Sequence, residues 1–397
     1  MSRLEPTNEA SAMQKEISTI AEQGGGTTKV EQLIQQYCPD GVEYVKIGQI
    51  AQVGTGSSNG NEADDEGMYP FFVRSQTVKR KNDYEYDEEA VIIPGEGGIG
   101  DIFHYINGKY ALHQRVYRIH FTIPSINTKF AFYYLKSAFK QFILMKAVSA
   151  TVASIRKPMI EGFPIPIPPL HVQEEIVRIL DTLTELQAEL QAELQKRLQQ
   201  YNYYRDNLLS FEGRTDIEWK KLGEICNLSR GKVYSKSYIE KNAGEYPVYS
   251  SQTANNGELG RISTYDYDGE YLTWTTDGAY AGTIFYRKGK FSITNVCGLI
   301  SPKEDNLNIK FLFYWLSIKA PDYVYRGMGN PKLMSNQMEP IKVPIPPLAE
   351  QQRIVSILDR FNTLTTDITA GLPAEIEARR KQYEYYRNQL LTFKQKA

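Results

Sequence analysis

Pro166-Ile167-Pro168-Pro169-Leu170, running into His171-Val172-Gln173-Glu174-Glu175-Ile176-Val177-Arg178-Ile179-Leu180-Asp181, decides the fold because it occurs twice. The second copy is Pro344-Ile345-Pro346-Pro347-Leu348, then Ala349-Glu350-Gln351-Gln352-Arg353-Ile354-Val355-Ser356-Ile357-Leu358-Asp359. Eleven of the sixteen positions are identical, at a shift of 178. Each copy also ends alike: Tyr201 to Phe211 matches Tyr383 to Phe393 at seven of eleven positions, at a shift of 182. The chain is therefore an internal duplication, with four extra residues between the landmarks of its second copy.

Beyond each block the reading is helical. The proline-rich lead-in is extended and stops any preceding element. Ile176, Ile179, Leu180, Leu183, Leu186, Leu190, Leu194 and Leu198 then recur at steps of three and four, which marks one apolar helical face. No Gly or Pro interrupts Val172 to Leu209, 38 residues, or roughly 57 Å of helix. From Leu186 to Arg197 the helix is built on a Leu-Gln-Ala-Glu near-repeat. The second face holds Ile354, Ile357, Leu358 and Phe361, until Gly371 and Pro373 break or kink the helix. Stripes this long need the other copy or a partner chain, as in a coiled coil.

At 397 residues the chain is too long for one core. A formal net charge of -1 excludes a whole-molecule positive field, so any nucleic-acid contact must come from local patches. Cys38, Cys226 and Cys297 form neither a disulfide framework nor a zinc spacing, which fits a reducing cytoplasm. The N-terminus has no apolar signal core, and no run is long enough to span a membrane.

Residues 1–29 read as a polar tail, a weak helix or disorder ending in Gly24-Gly25-Gly26. A first domain follows over 30–168, then a long helix over 169–212, a second domain over 213–346 and a distal helix over 347–397. The domains echo each other weakly. Val42 to Ile50 matches Ile217 to Ile225, Met68 to Thr77 matches Glu245 to Thr253, and Asn127-Thr128-Lys129-Phe130 matches Asn308-Ile309-Lys310-Phe311. Short alternating runs, with Asn107-Gly108 and Lys288-Gly289 as turns, predict strands and hairpins. The expected class is α+β: two similar, strand-rich mixed domains separated by two long antiparallel helices in a pseudo-two-fold arrangement.

Motifs for chemistry fail their context. Gly95-Glu96-Gly97-Gly98-Ile99-Gly100 spells a dinucleotide fingerprint, but a strand rather than a helix is predicted after it. No phosphate loop, nucleophile elbow or zinc spacing occurs. No catalytic residue, metal site or cofactor of its own is therefore assigned to this chain. What remains is a set of polar clusters recurring at similar points of both halves: Arg74, Ser75 and Gln76 with Ser250, Ser251 and Gln252, and Ser154, Arg156 and Lys157 with Asn330 and Lys332. Arg and Gln read base edges and Lys positions phosphates. The bland alternative for each is an ordinary surface residue.

The duplicated Ile-Pro-x-Pro-Pro-Leu block, the opening Tyr37-Cys38-Pro39-Asp40-Gly41-Val42-Glu43-Tyr44 and the Tyr-x-Tyr-Tyr-Arg-x-x-Leu-Leu endings resemble the specificity subunit of a type I restriction–modification enzyme. The four-residue repeat and Gly371-Leu372-Pro373 look like its type IC branch. The resemblance covers residues 30–397 and departs from the pattern at His171 to Glu174, where Glu-Gln would be usual. It implies two target-recognition domains, each reading one half of a split, asymmetric double-stranded DNA site. It implies helices that set the spacing and dock two methyltransferase subunits, and S-adenosylmethionine on those partners, which flip and methylate adenine. Translocating restriction subunits can join them. Two competing readings are a DNA-independent scaffold of two domain–helix units and a stand-alone enzyme using the glycine-rich turn.

Overall fold

The computed structural model describes residues 29–146, 154–327, 329–366 and 371–396, so the expected tail lies, but for Lys29, outside the described residues. Contacts divide the chain into two compact units, Met1–Gln191 with Ile376–Ala397, and Ala192–Glu375.

In the first unit β1 (Tyr44–Lys46) leads in, and β2 (Ala51–Thr55), β3 (Tyr69–Phe72), β4 (Lys79–Lys81), β5 (Tyr86–Pro94), β6 (His104–Leu112) and β7 (Val116–Phe121) form one sheet in the order β2-β7-β5-β6-β3-β4. Within it only β3 and β6 run parallel. The lead-in Pro164–Pro166 is β8, paired antiparallel with β1, so proline sits in a two-stranded ribbon where it disturbs no central ladder. In the second unit β9 (Glu218–Lys221) pairs with β16 (Lys342–Ile345). Between them β10 (Cys226–Arg230), β11 (Ala243–Tyr249), β12 (Glu258–Ile262), β13 (Tyr267–Thr275), β14 (Ile284–Ile293) and β15 (Cys297–Pro302) take the order β10-β15-β13-β14-β11-β12. The two topologies are the same, down to the one parallel pair, β11 with β14.

The glycine dipeptides expected as turns are not turns. Gly108 lies inside β6 opposite Glu88, and Gly289 inside β14 opposite Gly269. Both hold positive φ, 123° and 90°, which is why glycine stands there. The reversals use His113 to Arg115 and Thr294 to Val296 instead.

Each sheet is backed by a helix, Thr128–Lys146 or Ile309–Lys319. Its first backbone N–H groups are capped by the side chain of Asn127 or Asn308. Phe130, Tyr133 and Tyr134 pack with Val172, Ile176, Leu180 and Leu183 of the 39-residue helix Leu170–Leu208. The upper part of the stripe is thus buried in its own unit's core, while Leu186, Leu190, Leu194 and Leu198 stay half-buried. In the second unit Ile354 and Leu358 of helix Leu348–Thr366 pack with Phe311, Tyr314 and Trp315, and a further helix runs from Leu372 to Leu390. The repeated endings cross over in sequence. Leu209 and Phe211 complete the second core, and Tyr383, Tyr386, Leu390 and Phe393 complete the first.

Candidate nucleic-acid interface

Four loops converge in each unit, tied by backbone and side-chain hydrogen bonds. In the first, Gly95 is the hub: its N–H donates to Arg115 O (2.9 Å) and its carbonyl accepts from Ile155 N (2.8 Å). A Cβ there would lie 3.0 Å from Arg115 O and 3.1 Å from the Tyr117 ring, closer than most Cβ contacts, so a side chain at this position would push its neighbours back by a few tenths of an ångström. The next element after the glycine run is strand β6, so the run does not open a helix whose N-terminus could hold a pyrophosphate. The loop after β3 joins the hub: Arg74 Nη1 lies 3.1 Å from Glu96 Oε2, and His104 Nε2 lies 3.2 Å from Ser75 O. Arg115 Nη1 binds the same Glu96 at 2.9 Å, so two guanidinium groups, Arg115 foremost, hold this carboxyl below its usual range.

In the second unit Thr276 is the hub. Its carbonyl accepts from Leu333 N (3.0 Å), its N–H donates to Ser251 Oγ (3.1 Å) and its hydroxyl donates to Val296 O (2.7 Å). Gly278 N donates to Pro331 O at 3.1 Å.

These bonds correct the pairing of the basic clusters. The anchors are two buried hydrophobes, Ile155 and Leu333, so Ser154 corresponds to Lys332, and Arg156 to Met334 rather than Lys332. Both loops nevertheless carry an exposed cation, since Arg156 and Lys332 each project to solvent. Gln76 and Asn330 are likewise exposed. Lys157 lies 3.6 Å from Glu161, Ser154 and Ser250 are half-buried, and Ser75 Oγ donates to Thr77 O at 2.8 Å. Ser251 donates to the Val296 carbonyl, and Gln252 Nε2 to Glu258 O, so these two side chains brace their loop. Sequence reasoning passes over Glu96 and Arg115. The signal is present in the glycine run itself, which recurs in part as Thr276 to Gly282.

Among the described residues no group of His, Cys, Asp or Glu could hold a metal, and no helix is long and apolar enough to cross a membrane. Buried Cys226 and Cys297 have thiols pushed up to about 12 by desolvation, the opposite of an activated nucleophile.

Two alike sheets, each presenting a four-loop cluster with different side chains, define a duplicated recognition protein. The chain belongs to the family of the type I restriction modification DNA specificity domain, whose sequence model matches residues 39–200 and 215–378. A type I specificity subunit of Mycoplasma pneumoniae is 45% identical over 240 residues, covering 59% of this chain and 97% of its own. The specificity subunit of a type I restriction enzyme of Escherichia coli is 35% identical over 255 residues, 58% of this chain and 63% of its own. The crystal structure of a type I restriction–modification S subunit from M. genitalium has the same fold, with a TM-score of 0.64 at 16% identity over 88% of this chain and 96% of that one. The DNA-independent scaffold finds no support in these matches.

Proposed function

We propose that each unit reads one half of a bipartite, asymmetric DNA site through its four-loop cluster, and that this chain contributes no catalytic residue. The long helices set the distance between half-sites and dock two methyltransferase subunits, which bring S-adenosylmethionine and the adenine chemistry; restriction subunits join that complex in the cytoplasm. The observation that carries the reading is one backbone frame used twice, the carbonyl of Gly95 or Thr276 accepting from Ile155 N or Leu333 N, with different exposed side chains on its loops: Gln76 and Arg156 in one, Asn330 and Lys332 in the other. Equal frames give equal docking, and unequal loops give unequal bases. Replacing residues 42–165 with the first reader of another specificity subunit is expected to change one half-site and leave the other intact in a methylation map. A change in both half-sites, or in neither, refutes the modular reading.

A further inference from the structure

The units share a second feature that loop variation has left untouched. In the first, Lys129 Nζ binds Asp181 Oδ2 (2.7 Å) and Tyr133 OH donates to Asp181 Oδ1 (2.6 Å). In the second, Lys310 Nζ binds Asp359 Oδ2 (2.6 Å) and Tyr314 OH donates to Asp359 Oδ1 (2.7 Å). The network continues into each sheet. Lys129 lies 5.5 Å from the ring of Tyr105, whose hydroxyl donates to Glu89 Oε1 (2.6 Å). Lys310 lies 5.3 Å from the ring of Tyr286, which hydrogen-bonds Glu270. Beside it a fully buried amide, Gln173 or Gln351, accepts from the N–H of the capping asparagine at 2.8 Å and donates to two backbone carbonyls.

Each network therefore runs from the sheet through the backing helix to the long helix. Apolar contacts between those helices tolerate small rotations, whereas directional bonds to a carboxylate do not. In the second unit an open cleft of about 230 Å³ lined by Tyr286, Lys310, Tyr314 and Asp359 lies at this joint, beside the buried Ile354, Leu358 and Phe311.

We infer that Asp181 and Asp359, with their Lys and Tyr partners, are positioning residues that set the angle of each reader on its helix, and so the spacer length that the complex accepts. The inference rests on the bipartite reading above. The test is the full complex carrying Asp181→Asn or Asp359→Asn, assayed for methylation on DNA whose spacer is the preferred length or one base pair longer or shorter. The expected result is unchanged half-site bases, with discrimination between spacer lengths reduced about tenfold, as loss of a charged hydrogen bond allows. Tyr133→Phe and Tyr314→Phe, which delete one hydroxyl each, carry the same test should an Asp variant fail to fold. A folded variant with unchanged spacer discrimination, or with methylation lowered equally at every spacer, overturns the inference. An unaltered complex indifferent to spacer length would instead overturn the bipartite reading.

Discussion

Glu96 holds two guanidinium groups, those of Arg74 and Arg115, in the loop cluster of the first unit. Both its partners are about half exposed, at 46% and 57% for Arg74 and Arg115, so the pairs are screened and add little stability. Their consequence is for binding. Glu96→Gln is expected to release both cations, strengthen DNA binding at low salt and steepen the slope of log K against log salt by about one unit per phosphate gained. Arg156→Ala and Lys332→Ala, which remove exposed cations, are expected to flatten it by about one. A salt titration in the complex reads all three, and an unchanged slope throughout would remove these loops from the interface. Histidine gives a second residue-level asymmetry, since His104, His113, His120 and His171 all lie in the first unit. Burial holds His104 below the ordinary 6.5, against the Ser75 carbonyl that pulls it up. Burial, then Arg74 and Arg115, hold His113 below 6.5 against the acids Glu96 and Glu62. The unfolded chain therefore binds more protons than the folded one as pH falls through 6.5. This stabilisation is complete above that pH and is lost toward the folded values. Hydrogen exchange at pH 7.5 and 5.5 should show the first unit losing protection before the second. Parallel loss in both units, unchanged in a His104→Asn/His113→Asn chain, would refute the assignment.

At the scale of elements, the frame is readable because its signals are periodic or literal. The stripe Ile176, Leu180, Leu183 needs only helical spacing, and Pro-Ile-Pro-Pro-Leu needs only to be seen twice. The loops are not readable by those means. Ser251 and Gln252 have the chemistry of base readers, yet the loop uses their hydrogen bonds for its own backbone. The register of Arg156 and Lys332 is set by the hydrophobe beside each, which charge matching overlooks. Asn107-Gly108 resembles a turn because a mid-strand glycine and a hairpin glycine satisfy the same rule. Tight approaches between elements also repeat. A Cβ on Gly56 would lie 1.8 Å from Leu112 O, and one on Gly231 would lie 1.9 Å from Ile293 O. The obstructing atoms are backbone, so the strands must part. Gly231→Ala is therefore expected to destabilise the second unit by about 3 kcal/mol, at the upper end for overpacking. Denaturant unfolding of the chain measures it, and an unshifted midpoint would mean that this approach is looser than described.

At the scale of the molecule, the long helix Leu170–Leu208 passes from one unit into the other, and its middle belongs to neither core. Leu183 is its last position in the first core, and Tyr201 is its first packed against the second. Between them Leu186, Leu190, Leu194 and Leu198 are half-buried along an unbroken helix. Inserting one more Leu-Gln-Ala-Glu between Glu189 and Leu190 adds about 6 Å and turns the remainder of the helix by roughly 40°. The next leucine stays near its old face, and neither core is touched, so the helix should persist. Duplex DNA rises ~34–36 Å per ~10–10.5 base pairs, or about 3.4 Å each. A helix oblique to the duplex need not convert its added length one to one. The insertion is expected to keep both half-sites and lengthen the preferred spacer by about one base pair. Inserting two residues instead rotates the stripe by roughly 200° and should abolish assembly. A methylation map of the four-residue insert decides the matter. Full activity at the old spacer would leave this helix as a docking element alone, with the distance between half-sites set elsewhere.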